Sequence, residues 1–107
     1  MINIDFLVLN TGEMIGFNIC GHSNMAEFGK DIVCAAVSSA AYMTVNTISE
    51  IKKVDADIIV EEDGRMFLKV KNNDLMLCKD ILLGFKLHML NLEEQYPEDI
   101  IVNYLEV

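Results

Sequence analysis

Apolar and polar residues alternate at the start of the chain. In "INIDFLVL", Ile2, Ile4, Phe6 and Val8 share one parity, while Asn3 and Asp5 share the other, joined by Leu7 and Leu9. A period of two is that of a strand. The turn signal "NTGE" at 10–13 follows. Beyond it Ile15, Phe17 and Ile19 take one parity and Met14, Asn18 and Cys20 the other. This predicts a second strand, and the short connection predicts an antiparallel hairpin. Residues 32–51, "IVCAAVSSAAYMTVNTISEI", hold no Gly or Pro and are too long for a strand. They predict a helix, with Asp31 as its N-cap because a carboxylate there accepts from an unpaired N–H of the first turn. The Ala and Ser in this run let a packing partner come close. "ADIIVEEDGRMFLKVK" at 56–71 reads as two strands around an Asp63-Gly64 turn. In residues 73–96, Leu75, Cys78, Leu82, Phe85, Met89 and Leu92 recur at spacings of three and four. That is one apolar stripe of a helix, and Pro97 ends it. "DIIVNYLEV" at 99–107 predicts a last strand.

The resulting order is β-β-α-β-β-α-β. The simplest layered solution is an α+β fold, one sheet with two helices packed on one face. Residues 1–107 offer one core and thus a single domain. If the alternation holds, Leu7, Leu9 and Phe67 point to the opposite face, where exposed apolar residues would mark a dimer interface.

Composition narrows the class. With 52% hydrophobic and 23% charged residues, the chain reads as globular. Its net charge of −9 repels phosphate backbones and disfavours nucleic acid as a direct ligand. Basic partners are favoured, although solubility alone also accounts for such a balance. The N-terminus "MINIDFLVLN" lacks the basic start and cleavage site of a signal peptide. No apolar run reaches the roughly 18 residues that span a bilayer. The expected location is the cytoplasm, with no membrane partner. The three cysteines follow no zinc-like pair spacing and are expected to be free thiols there.

The candidate chemistry lies in "GHSNMAEFGKDIVCAAVSSA", residues 21–40. The second predicted strand ends near Cys20 and the first helix begins near Ile32, so His22 and Cys34 belong to one edge of the domain. Gly21 and Gly29 bound the loop between them. With Asp31 as N-cap, Cys34 would be the third helical residue, near the unpaired N–H groups and positive end of the helix dipole. A helix start and a neighbouring imidazolium favour the thiolate, which is the nucleophile. His22 could pair with it and later protonate a leaving amine. Asp31 either caps the helix or orients His22. Two other readings stand beside this one. A Cys in an Ala/Val run is often a small buried hydrophobe. Cys20, His22 and Cys34 could instead hold a metal, although zinc favours other spacings and ligand counts. Cys78 on the second helix's stripe and His88 at its border read as structural.

The block "GHSNMAEFGKDIVCAAVSS", with "IGFNICGH" leading into it, resembles the signature of the ribosomal-processing cysteine proteases, the Prp family. The resemblance extends to chain length and element order. It implies a homodimeric endopeptidase that removes a short N-terminal extension from a large-subunit ribosomal protein, a basic substrate, without a cofactor or metal. By motif match, Cys34 is the nucleophile, His22 its base and Asp31 a further candidate. Gly21, Ser23, Asn24, Gly29 and Lys30 fall in the family's substrate-binding loop. Cys20 departs from the small residue expected before Gly-His. The alternative from another class is a non-catalytic, ribosome-associated binding module with an acidic surface.

Overall fold

A computed structural model describes residues 1–21, 30–62 and 64–107, with the backbone alone at Lys30 and Asp31. The first hairpin forms as its alternation requires, from β1 (Ile2–Val8) and β2 (Met14–Cys20). Helix α1 (Lys30–Asn46) runs on into a wider π turn at Thr47–Ile51. Strands β3 (Asp57–Val60) and β4 (Met66–Lys69) make the second hairpin. Helix α2 (Leu75–Gln95) and strand β5 (Ile100–Glu106) complete the α+β order.

The sheet order is β3-β4-β2-β1-β5. All neighbours are antiparallel except β1 and β5, which run parallel from Ile2↔Ile100 to Val8↔Glu106. Cross-strand register puts Ile4 opposite Ile19, Phe6 opposite Phe17, and Phe17 opposite Leu68. These residues share one face and are fully buried. Val33, Val37, Ala41, Val45 and Ile48 from the α1 segment, and Cys78, Leu82, Phe85, Met89 and Leu92 from α2, join them in a single core. Phe85 packs its ring 4.5 Å from that of Phe17 and edge-on to Phe6 at 5.9 Å.

Gly16 makes the middle of the sheet possible. Any side chain at this position would overlap the backbone carbonyl of Leu68 on β4. Glycine lets β2 and β4 approach and continue pairing through Gly16↔Lys69.

Three expectations need correction. The first helix starts at Lys30, so Asp31 is inside it and is not its N-cap. A helix propagates cheaply through residues that lack Gly and Pro, and that stretch opens at Lys30, just after Gly29. The end of this helix widens where Thr44 and Thr47 donate their hydroxyls back to Ala40 and Met43 carbonyls, at 2.9 and 2.7 Å. Such back-bonding competes with the regular ladder, and Lys52 N–H bonds Thr47 instead. The stretch Ile32–Ile51, with a mean hydropathy of 1.4, is long and apolar enough to cross a membrane, contrary to the sequence reading. Its Val33, Val37, Ala41, Val45 and Ile48 instead face the core, the pattern of a core helix. Finally, Leu7 is only 5% exposed, and Leu9 and Phe67 are half-buried, so these three do not form an open apolar patch.

Candidate active site

Strand β2 and helix α1 bring their ends to the segment that carries the candidate chemistry. β2 ends at Cys20, opposite Asn3. Gly21 follows with φ +82°. A side chain there would overlap the carbonyl oxygen of Met1 and lie near the Asn3 amide. Left-handed backbone against another chain segment is a conformation that only glycine takes without cost. The Asn3 side-chain amide donates to the same Met1 carbonyl, at 3.5 Å. Position 22 thus follows a turn whose geometry is set by the N-terminal strand. Sequence reasoning found Gly21 but missed Met1 and Asn3, because their contact with it runs across a strand pair.

Cys34 is the fifth residue of α1, not the third. Its own N–H is therefore within the helical ladder, and the unpaired N–H groups belong to the turn before it. The positive end of a helix is concentrated in that first turn, and Cys34 stands at its margin. Helical side chains lean toward the N-terminus, which brings this thiol back over the same turn. Cys34 is partly exposed and packs on the edge of the core. Cys20 is also partly exposed, whereas Cys78 is fully buried. All three are free thiols.

Of the other candidates, Lys30 and Asp31 are placed as the first two residues of α1, and their side chains are not described. His22, Ser23, Asn24 and Gly29 lie outside the described residues. The expected meeting of His22 with Cys34, and the alternative of a metal held by Cys20, His22 and Cys34, therefore involve a residue outside the described ones. His88 is exposed on α2, on the groove between the helices beside Met43, Gly84 and Phe85. A separate cleft of about 320 Å³ between the β1–β2 turn and the start of α2 lies at the far end of the sheet from Gly21.

The family model for the cysteine protease Prp matches residues 1–101. The chain belongs to the cysteine protease Prp family. As a Prp-family protein it is a cysteine protease. It is similar to the ribosomal processing cysteine protease Prp of Staphylococcus aureus, 30% identical over 97% of this chain and 99% of that one. Among solved structures, the essential ribosomal processing protease Prp from S. aureus in complex with a substrate peptide matches with a TM-score of 0.88 at 27% identity, covering 98% of this chain and all of that one. The S. aureus protease with a covalently linked product peptide matches at 0.85 and 28% identity, over 98% of this chain and 100% of that one. The Prp fold is thus shared across the whole sheet and both helices.

Proposed function

We propose that this Prp-family protease acts in the cytoplasm and removes a short N-terminal extension from a large-subunit ribosomal protein. Cys34 is the nucleophile and His22 its base. The observation that carries this reading is the setting of Cys34, a partly exposed thiol at the start of the second turn of α1, in the chain of a cysteine protease family. Cys78 is sealed in the core, and Cys20 lies on a strand. A relative that carries a covalently linked product peptide is what nucleophilic catalysis produces.

The chemistry follows in two halves. His22 takes the thiol proton, and the sulfur attacks the scissile carbonyl carbon. The new C–S bond places negative charge on the carbonyl oxygen, which N–H groups at a helix start can hold. As the C–N bond breaks, the imidazolium returns its proton to the leaving amine. Water, deprotonated by His22, then cleaves the thioester and restores the thiol. Asp31 orients His22 in this scheme, and Gly21, Ser23, Asn24, Gly29 and Lys30 contact the substrate. No cofactor or metal takes part, and nucleic acid is not a direct ligand. The enzyme pairs with a second copy through the helices, where Ile32, Met43, Leu77 and Leu87 are 53–66% exposed.

The test is cleavage of the ribosomal protein with its extension. Cys34→Ala and Cys34→Ser are expected to abolish product with the fold intact by circular dichroism. His22→Ala is expected to lower kcat by about 10²–10⁴-fold, the usual contribution of a general acid–base. Full activity in Cys34→Ala would refute the reading.

A further inference from the structure

A protease that trims a tail must hold that tail extended, and an open sheet edge does so through its main chain. The two edges of this sheet differ. On β5, the Val107 N–H faces inward to the Val8 carbonyl. Alternation along a strand then turns the amides of Ile100, Val102 and Tyr104 outward. The Ile100 N–H is taken by the Tyr96 carbonyl. The Val102 N–H is taken by a Glu93 carboxylate oxygen at 2.6 Å. Half of this edge is therefore already satisfied by α2 and the turn after it.

β3 is different. Glu61 N–H donates to the Arg65 carbonyl, in the register that continues Val60↔Met66 and Asp57↔Lys69. The amides of Ile59 and Asp57 therefore also face β4, and those of Ile58 and Val60 face outward. Among the described residues nothing in the sheet pairs with them. Ile59 and Val60 are also 41% and 48% exposed. Val60 is opposite Met66, which is opposite Ile19, two residues before Gly21. The open end of the edge thus lies at the same end of the sheet as the segment leading to His22.

We propose that the open edge of β3 takes the substrate's extended tail as an added strand, pairing main chain to main chain at Ile58 and Val60. This rests on the reading of the chain as a ribosomal-protein protease. The attraction for a basic ribosomal protein comes from the molecule's net charge of −9. At the edge itself Lys71 and Arg65 already bridge Asp55 and Glu61, at 3.0 and 2.8 Å. The edge supplies geometry, and the molecule as a whole supplies the field.

The test uses a substitution that only this hydrogen-bond pattern singles out. Val60→Pro deletes an outward N–H and leaves the β4 ladder intact. It is expected to fold, and to weaken binding of a peptide spanning the ribosomal extension to the Cys34→Ala protein by about tenfold, the scale of one or two lost hydrogen bonds. In the active enzyme KM rises correspondingly and kcat stays within about twofold. Ile59→Pro, whose N–H faces β4, is expected to destabilise the fold instead. Independently, amide exchange at Ile58 and Val60 of the Cys34→Ala protein is expected to slow when the peptide binds. Unchanged exchange there, or unchanged affinity in folded Val60→Pro, overturns the proposal while wild-type cleavage still supports the protease reading. Loss of a dimer in Val60→Pro by sedimentation also overturns it, by assigning the edge to a second copy. Absence of wild-type cleavage refutes the protease reading itself.

Discussion

Cys78 lies on the buried face of α2 with no exposed surface. Burial pushes its thiol above the ordinary 9.0, and the negative charge of Asp74 adds to the effect. In the unfolded chain this thiol ionises first as the pH rises. Its contribution to stability is therefore whole below about pH 9 and is lost as the pH climbs through the raised folded value. Urea titrations from pH 7 to 10 are expected to show a steeper alkaline loss for the wild type than for Cys78→Ala. That variant itself starts lower, by about 1–2 kcal/mol, for the small cavity it leaves. Parallel slopes would contradict the assignment. The same burial makes Cys78 the slowest of the three thiols to alkylate. The contrast between a buried Cys78 on an apolar stripe and a Cys34 near a helix start was legible in spacing alone. The one-turn position of Cys34 was not. It depends on where the helix begins, and boundaries follow the balance of a few weak terminal interactions.

At the scale of elements, the pattern of apolar positions fixed nearly everything that packs. Alternation placed β1 and β2, spacings of three and four placed α2, and run length, the Asp63-Gly64 turn and Ile/Val content placed α1, β3, β4 and β5. What the pattern could not convey is sheet order. The parallel β1–β5 pair joins residues about a hundred positions apart, and no local signal encodes that partnership. Nor does alternation reveal Gly16's purpose, since the overlap it avoids involves the carbonyl of a distant strand. Gly16→Ala is expected to force β2 and β4 apart and cost about 1–3 kcal/mol, the scale of overpacking, or more because backbone must shift. Guanidinium denaturation measures this. A midpoint equal to wild type would show that the sheet absorbs the methyl.

Over the whole molecule, 17 acidic residues face 8 basic ones. Such a surplus acts at a distance and is screened by salt. Lowering the Debye length from about 30 Å to about 8 Å, by raising ionic strength from about 0.01 to 0.15 M, is expected to reduce kcat/KM for a basic substrate several-fold and to leave kcat nearly unchanged. A salt-independent kcat/KM would remove long-range attraction from the account. Charge balance was fully legible in composition, and the family motif in the order of residues 21–39. Which apolar residues stay exposed was not, because exposure is a property of the folded surface: Leu7, Leu9 and Phe67 turned out covered, while Ile32, Met43, Leu77 and Leu87 on the helices lie open.

The Met1 carbonyl that crowds Gly21 has a practical bearing on any recombinant version of this enzyme. A purification handle fused ahead of Met1 would emerge against the bend at Gly21 and is expected to disturb it. Val107 bonds Val8 at the opposite rim, so a handle placed after it leaves that bend undisturbed.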